Sequence, residues 1–594
     1  MRRHADTLVA PATDPDPDVR RAAIPALGQF VDDDGGRRAA TLLQERLAAE
    51  EGLPERLAAV EATATLALRL PTVAEQARTR LAALAADPHR DSPTRLAALT
   101  QRARCALERI EPEILPAAVA LLGDIGKDAP SRRSWRHPAP ATNTAQDVPP
   151  RGIAGFDHLD RDNRIHAVTT GTLRTLHEAL DERIAWRTEL PAAQLRSPDP
   201  GTRLDAVRMS GELMRTWRSD HTDLLLLVAD QFDRFGNELT AEAADVMDNC
   251  HAIAEPAREA LAAYVTARRA EYGPDVWAHP DAEVGRAQQT AVCALARFGD
   301  ARALPCLLVA CDAGVDAWRA FPAAAWLPEA SRMLVPALVR HLREADLAAT
   351  WFEGSVHPLL DTLSRLGDTS AVPVIVDTLA VAVRDRHWGT VKSALKASAR
   401  FGVAAAAALP LVRRLTSAPE AKARIAVHEG RARVAAVEAL YALGGSADEV
   451  RAAIVEVAQF QGPSWVRDLG DLLGRIGPPA PPVLVAQLRT ALTDDDEWRR
   501  VHAATALWDL YGEPEAPVVL NTLTRAWERN SATANHALAC LDRMGTAAEP
   551  AMPLLAAALA NSRRDCRWND IDSDEQLQRT ARHILAKFGE ARAE

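Results

Sequence analysis

A chain of 594 residues is too long for one compact core, so a globular reading would demand about three or four domains, whereas a stack of repeats lengthens without thickening. Only 5% of the residues are aromatic, Val, Ile and Thr rarely cluster, and Ala, Leu and Arg abound; helix is favoured over strand. A net charge of −11 argues against a general nucleic-acid coat, and the scarcity of Lys beside Arg fits GC-rich codon usage better than phosphate binding.

The N-terminal stretch MRRHADTLVAPATDPDPDVRR has no sustained apolar core and makes a poor signal peptide. The first clear helix start is Asp16-Pro17, where Asp16 can cap orphan amides and Pro17 suits a position that needs no N–H. The device returns at Ser92-Pro93 and Asp199-Pro200. Pro54 opens another helix between the first two, so successive starts lie about 38 residues apart, a helix-pair period. Residues 127–163 carry no helical period and several Pro, and read as a loop or linker. The expected organisation is an N-terminal repeat block over 1–126, that linker, and a main repeat block over 164–594.

The stretch Val391–Leu415 shows the unit most plainly. Val391, Ala394, Leu395, Ser398 and Phe401 make one helix face, Gly402 ends the helix, and Leu409, Val412 and Leu415 make the apolar side of the next. Neither helix hides its stripe alone, so each pair needs a neighbouring pair. The same Gly-then-Pro junction follows Phe298-Gly299 (Pro305), Leu366-Gly367 (Pro373) and Met544-Gly545 (Pro553). From residue 284 onward, second-helix starts are expected near 284, 318, 355, 389, 430, 464, 496, 533 and 575, the last helix ending at Phe588-Gly589. The longest near-continuous apolar run, around Val403–Val412, is about half of the ~20 residues of a membrane span, so no membrane is expected.

The run Asp16, Val19, Arg20, Ala23, Ala26, Leu27, Gly28 resembles the second helix of a HEAT repeat, of the short kind also found in bacterial bilin-lyase-like (PBS-lyase-like) repeat proteins. It recurs at Arg431–Gly444, Trp465–Gly477 and Trp498–Gly512. The resemblance implies an all-α, right-handed α-solenoid of the armadillo type, with about fourteen helical hairpins, whose second helices line a concave groove. It also implies a protein-binding role rather than an activity. Both ends of such a stack would need covering, by a partner, another copy or further chain.

Catalytic and metal motifs are missing: no HExxH, GxxxxGK[ST], GxSxG or strand–GxGxxG–helix pattern occurs, so no catalytic residue, metal or cofactor is expected. Two His-Glu pairs, His177-Glu178 and His428-Glu429, are not in equivalent sites and read as solvated helix faces rather than iron ligands. The acidic runs at Asp14–Asp18 and Asp570–Asp574 lack the Gly and Glu of a calcium loop, and read as caps and solvated charges. Seven Cys form no CxxC pair, which suits a reducing cytoplasm.

Tryptophan stands out. Trp318, Trp351, Trp388, Trp465 and Trp498 recur near second-helix starts, with Arg319, Arg467, Arg499 and Arg500 close by. They can form a row along the groove that grips a protein or peptide partner, or wedge the turns between paired helices. A second basic–aromatic cluster, Arg132, Arg133, Trp135 and Arg136, lies in the linker and can grip an acidic or phosphorylated segment. Asp496, Trp498, Arg499 and Arg500 also admit comparison with HEAT-like alkylpurine DNA glycosylases, but those proteins are short and basic.

Overall fold

The computed structural model describes residues 5–50, 52–107, 110–128, 169–232, 237–314, 317–348, 356–417, 427–564 and 571–591. Among them helix dominates and no strand forms; one isolated bridge joins Trp217 and Arg563. The linker residues 129–168 lie outside this set. Two compact units divide the chain, Met1–Leu213 with Ser219–Val246, and Met214–Arg218 with Met247–Glu594. The division therefore falls after the helices that follow the Pro-rich stretch.

In chain order the helices are α1 (Ala5–Ala12), α2 (Pro17–Phe30), α3 (Asp33–Ala49), α4 (Leu53–Arg69), α5 (Pro71–Ala86), α6 (Ser92–Cys105), α7 (Ile114–Asp128), α8 (Thr170–Ala179), α9 (Ile184–Gln194), α10 (Pro200–Thr216), α11 (Thr222–Ala229) and α12 (Asn237–Asn249). There follow α13 (Arg258–Tyr272), α14 (Ala282–Arg297), α15 (Leu304–Ala313), α16 (Ala317–Ala324), α17 (Ser331–Glu344), α18 (Val356–Leu366), α19 (Val372–Arg384), α20 (Trp388–Phe401) and α21 (Leu409–Thr416). The last are α22 (Val427–Ala442), α23 (Ala447–Gln461), α24 (Trp465–Ile476), α25 (Pro482–Ala491), α26 (Glu497–Tyr511), α27 (Ala516–Arg529), α28 (Ala534–Met544), α29 (Met552–Ala560) and α30 (Ile571–Ala591). This is an α-solenoid of about fourteen hairpin repeats.

Every second-helix start expected from residue 284 onward falls at the head of an even-numbered helix, α14 to α30. The terminators act as expected: Gly299, Gly367, Gly402, Gly477, Gly512 and Gly545 all have positive φ, where a Cβ would be strained. Pro305, Pro373, Pro410 and Pro553 each sit in the first turn of the following odd helix. The apolar segment Trp388–Thr416 is long enough by composition to cross a membrane, but it is broken by a 3-10 turn over Gly402–Ala408 into α20 and α21. One boundary differs: α30 runs through Gly589 to Ala591, since Gly589 does not take positive φ. A short α1 also precedes α2, although the sequence begins its clear pattern only at α2.

The even helices stack directly on one another within each unit, α2 through α8 in the first and α14 through α30 in the second, most closely at α2 on α4, α20 on α22 and α24 on α26. Small residues permit this. Helix α26 buries Ala503, Ala504, Thr505 and Ala506 together with Val501, Leu507 and Leu510, so it is enclosed on its flanks as well as its back. A Cβ on Gly28 of α2 would lie 2.8 Å from the Ala62 carbonyl oxygen of α4, and one on Gly474 of α24 would lie 3.2 Å from Ala506 Cα of α26. In a curved stack the more closely spaced row is the inner one. In the HEAT pattern that the sequence resembles, such second helices form the inner row.

The second unit returns on itself. Arg218 N donates to Ser562 O (2.7 Å) and Arg564 N to Thr216 O (2.8 Å). Arg218 grips both oxygens of Asp574, and Arg564 donates to Asp574 Oδ2 (2.7 Å) and to Met214 O (3.1 Å). Asp574 is fully buried and Arg564 nearly so. His251 Nε2 lies 3.1 Å from Asp572 Oδ2. Asp572 and Asp574, expected to be solvated charges, instead bind the start of α30 to the beginning of this unit.

Candidate functional site

Helix α24 begins at Trp465, α26 is capped by Asp496, whose Oδ1 accepts from Trp498 N (2.9 Å), and α28 follows a 3-10 turn capped by Asn530. These three consecutive inner helices carry side chains one helical turn apart on the same stripes: Arg467 and Asp471 on α24, Trp498 and His502 on α26, His536 on α28. The Arg467 guanidinium lies 5.8 Å from the Trp498 ring centre, and His502 stacks on the same indole at 6.1 Å with a 30° tilt. Asp471 Oδ2 lies 3.0 Å from His502 Nδ1 and 3.3 Å from His536 Nε2, and the two imidazole centres are 4.2 Å apart.

Burial by itself would raise the Asp471 carboxyl, but the two neighbouring imidazoles outweigh it and hold the carboxyl well below the usual range. Along the same face toward α20 the charges alternate. Burial raises Glu438 of α22 and Asp468 of α24 above the ordinary carboxylate range, and burial, aided by the like charges of Lys396 and Arg431, lowers Lys392 of α20. Both signs of charge occur among these described residues, which suits a protein surface better than a polyanion.

The tryptophan row is realised only in part. Trp498 and Trp388 head inner helices and are half-buried. Trp465 is fully buried and its Nε1 donates to Gln487 Oε1 of α25 (2.6 Å), so it wedges the hairpin and its ring is not on offer to a ligand. Arg499 turns back to Asp494 in the preceding loop, and Arg500 pairs with Glu497 and is not a free cation. Arg319 follows Trp318 on α16, and its carbonyl lies 3.9 Å from Cys293 Sγ. The side chain of Trp318, and all of Trp351, Arg132, Arg133, Trp135 and Arg136, lie outside the described residues. His177, expected on a solvated face, is buried against Arg187, while its neighbour Glu178 and the second pair's His428 are exposed.

The residues the sequence reading missed are Asp471, His502 and His536. Their one signal is that they lie about one repeat apart, on the stripe that carries Arg467 and Trp498 one turn earlier.

The sequence matches no known protein family's profile and no curated protein. Among solved structures, yeast importin-β (Kap95p) is similar over 98% of this chain and 79% of its own length, with 11% identity and a TM-score of 0.51. The fold is a HEAT solenoid. Kap121p bound to RanGTP is also similar, over 98% of this chain and 70% of its own, at 13% identity and a TM-score of 0.43. At such identities the likeness is one of fold.

Proposed function

We propose that this HEAT solenoid is a non-catalytic scaffold or adaptor that holds a protein or peptide partner along its inner face. The observation that carries the reading is the half-exposed Trp498 indole beneath the Arg467 guanidinium, set in a run of alternating charges on the inner helices. Tryptophan and arginine contribute most to interface energetics, and mixed charge selects a partner by complementarity rather than by bulk attraction. Nucleic acid is a poor fit to that charge pattern. The finer assignment, to a bacterial HEAT protein of the bilin-lyase-like kind working in the cytoplasm, belongs to the same proposal. The thiols support the compartment: no disulfide joins the described cysteines, and burial pushes Cys250, Cys311 and Cys540 up to about 12, where they are inert.

Affinity capture from the native cytoplasm tests it, using the wild type, an Arg467→Glu/Trp498→Ala variant, and Arg384→Glu on the outer helix α19. The inner-face variant should lose its captured partner by at least about tenfold, as expected for losing a hot-spot residue. The outer-face variant should retain it. An identical captured set for all three would refute the inner face as the binding surface.

A further inference from the structure

We propose that Asp471, His502 and His536 bind one divalent transition-metal ion of the zinc class on the inner face, leaving at least one coordination position open. The three donors come from three consecutive inner helices, and their ligand atoms all lie within 4.8 Å of one another. Metal bonds to imidazole nitrogen and carboxylate oxygen are about 2.0–2.2 Å long, which separates neighbouring ligands in a tetrahedral or octahedral shell by about 2.9–3.5 Å. The observed separations, 3.0 Å from Asp471 Oδ2 to His502 Nδ1 and 3.3 Å to His536 Nε2, match two edges of such a shell.

Hydrogen bonding does not account for the cluster. His502 Nδ1, His536 Nε2 and Asp471 Oδ1 are buried atoms, and none completes a hydrogen bond among the described residues. His502 Nδ1 and His536 Nε2 instead face the other carboxylate oxygen, Asp471 Oδ2, at 3.0 and 3.3 Å without an aligned hydrogen bond, an arrangement that a cation held between them would satisfy. The rings are also held in place, His502 by its stack on Trp498 and α28 by the Asn535 amide bonded to Ser573 of α30.

The donor set selects the metal. Calcium and magnesium require an oxygen-rich shell, whereas two imidazoles and one carboxylate suit zinc and its transition-metal neighbours. Three protein ligands leave a further position for water or for a donor group of a bound molecule. Occupancy would tie α24, α26 and α28 together across the exposed side of the stack. The inference does not depend on the scaffold reading, since it concerns only this chain and the ion.

The test uses the full chain, stripped with chelator and titrated with Zn²⁺ by calorimetry and with Co²⁺ by visible absorption. One equivalent of Zn²⁺ per chain should bind, Co²⁺ should give a ligand-field spectrum that Zn²⁺ displaces, and Zn²⁺ should raise the melting temperature. Asp471→Asn and His536→Gln, which keep the side chains' bulk, should each weaken binding by at least about 100-fold, since loss of a ligand exceeds the 10–100-fold loss of an outer-shell partner. His428→Ala, at an exposed position outside the cluster, should bind as the wild type does. No saturable uptake by the wild type, or uptake equal in the wild type and both cluster variants, would overturn the proposal.

Discussion

At the scale of single residues, burial decides what a motif means. His177-Glu178 reads in sequence as a polar pair on a helix surface, but the phase of α8 turns His177 inward and Glu178 outward. Arg187 Nε donates to His177 Nε2 (3.3 Å), which requires an unprotonated nitrogen there, and burial followed by the Arg187 charge lowers the imidazole to about 3. The unfolded imidazole takes its proton near its ordinary value of 6.5. Between there and about pH 3 the unfolded chain therefore holds a proton that the folded chain refuses. Stability contributed at this site is complete above pH 6.5 and falls on acidification by up to about 1.4 kcal/mol per pH unit. Denaturant melts between pH 7 and 4 should show a shallower decline in His177→Gln than in the wild type; equal slopes would contradict a buried neutral imidazole.

At the scale of elements, the small residues matter as much as the large ones. The Ala and Gly content of the even helices was visible in the sequence, but its meaning as a spacing device needed the neighbouring helix in view. Gly28 and Gly123 separate the two roles of glycine. Both lie within helices, where Ala is favoured over Gly by about 1 kcal/mol. Gly28 faces the Ala62 backbone with no room for a methyl group, whereas nothing approaches within 4 Å of a Cβ on Gly123. Gly28→Ala should accordingly destabilise the chain by about 1–2 kcal/mol, overpacking outweighing propensity, and Gly123→Ala should stabilise it by about 0.5–1 kcal/mol. Equilibrium unfolding of the two variants gives the comparison, and equal effects would mean that the inner helices are not in close contact. Helix starts, terminators and the hairpin period were legible because Gly, Pro and capping Asp act locally. The Asp471–His502–His536 cluster was not, because its members meet only through the stacking of successive inner helices. Trp465 misled for a related reason: its place at a helix start was read correctly, but the rotation that buries it against Gln487 is set by α25.

At the scale of the whole molecule, a repeat stack is stable only where each hairpin's open face is covered, and its terminal hairpins are the weak points. In the second unit the chain's own segment Met214–Arg218 joins the start of the last helix, where Arg218, Arg564 and Asp574 form a buried ion-pair centre. Sequence pattern could not show this, since the partners lie some 350 residues apart and the charges resemble solvated ones. Removing one member of a buried pair costs about 3–5 kcal/mol, because the arginines are then left without their counter-charge. If each hairpin takes its missing wall from a neighbour and the ion-pair centre anchors the last helix, hydrogen exchange on the full chain shows it most directly. The amides of α30 in the wild type should exchange as slowly as those of α26, and Asp574→Asn should speed α30 by at least about 100-fold while leaving α2 to α6 unchanged. Rapid exchange of α30 in the wild type, or exchange indifferent to the substitution, would contradict it.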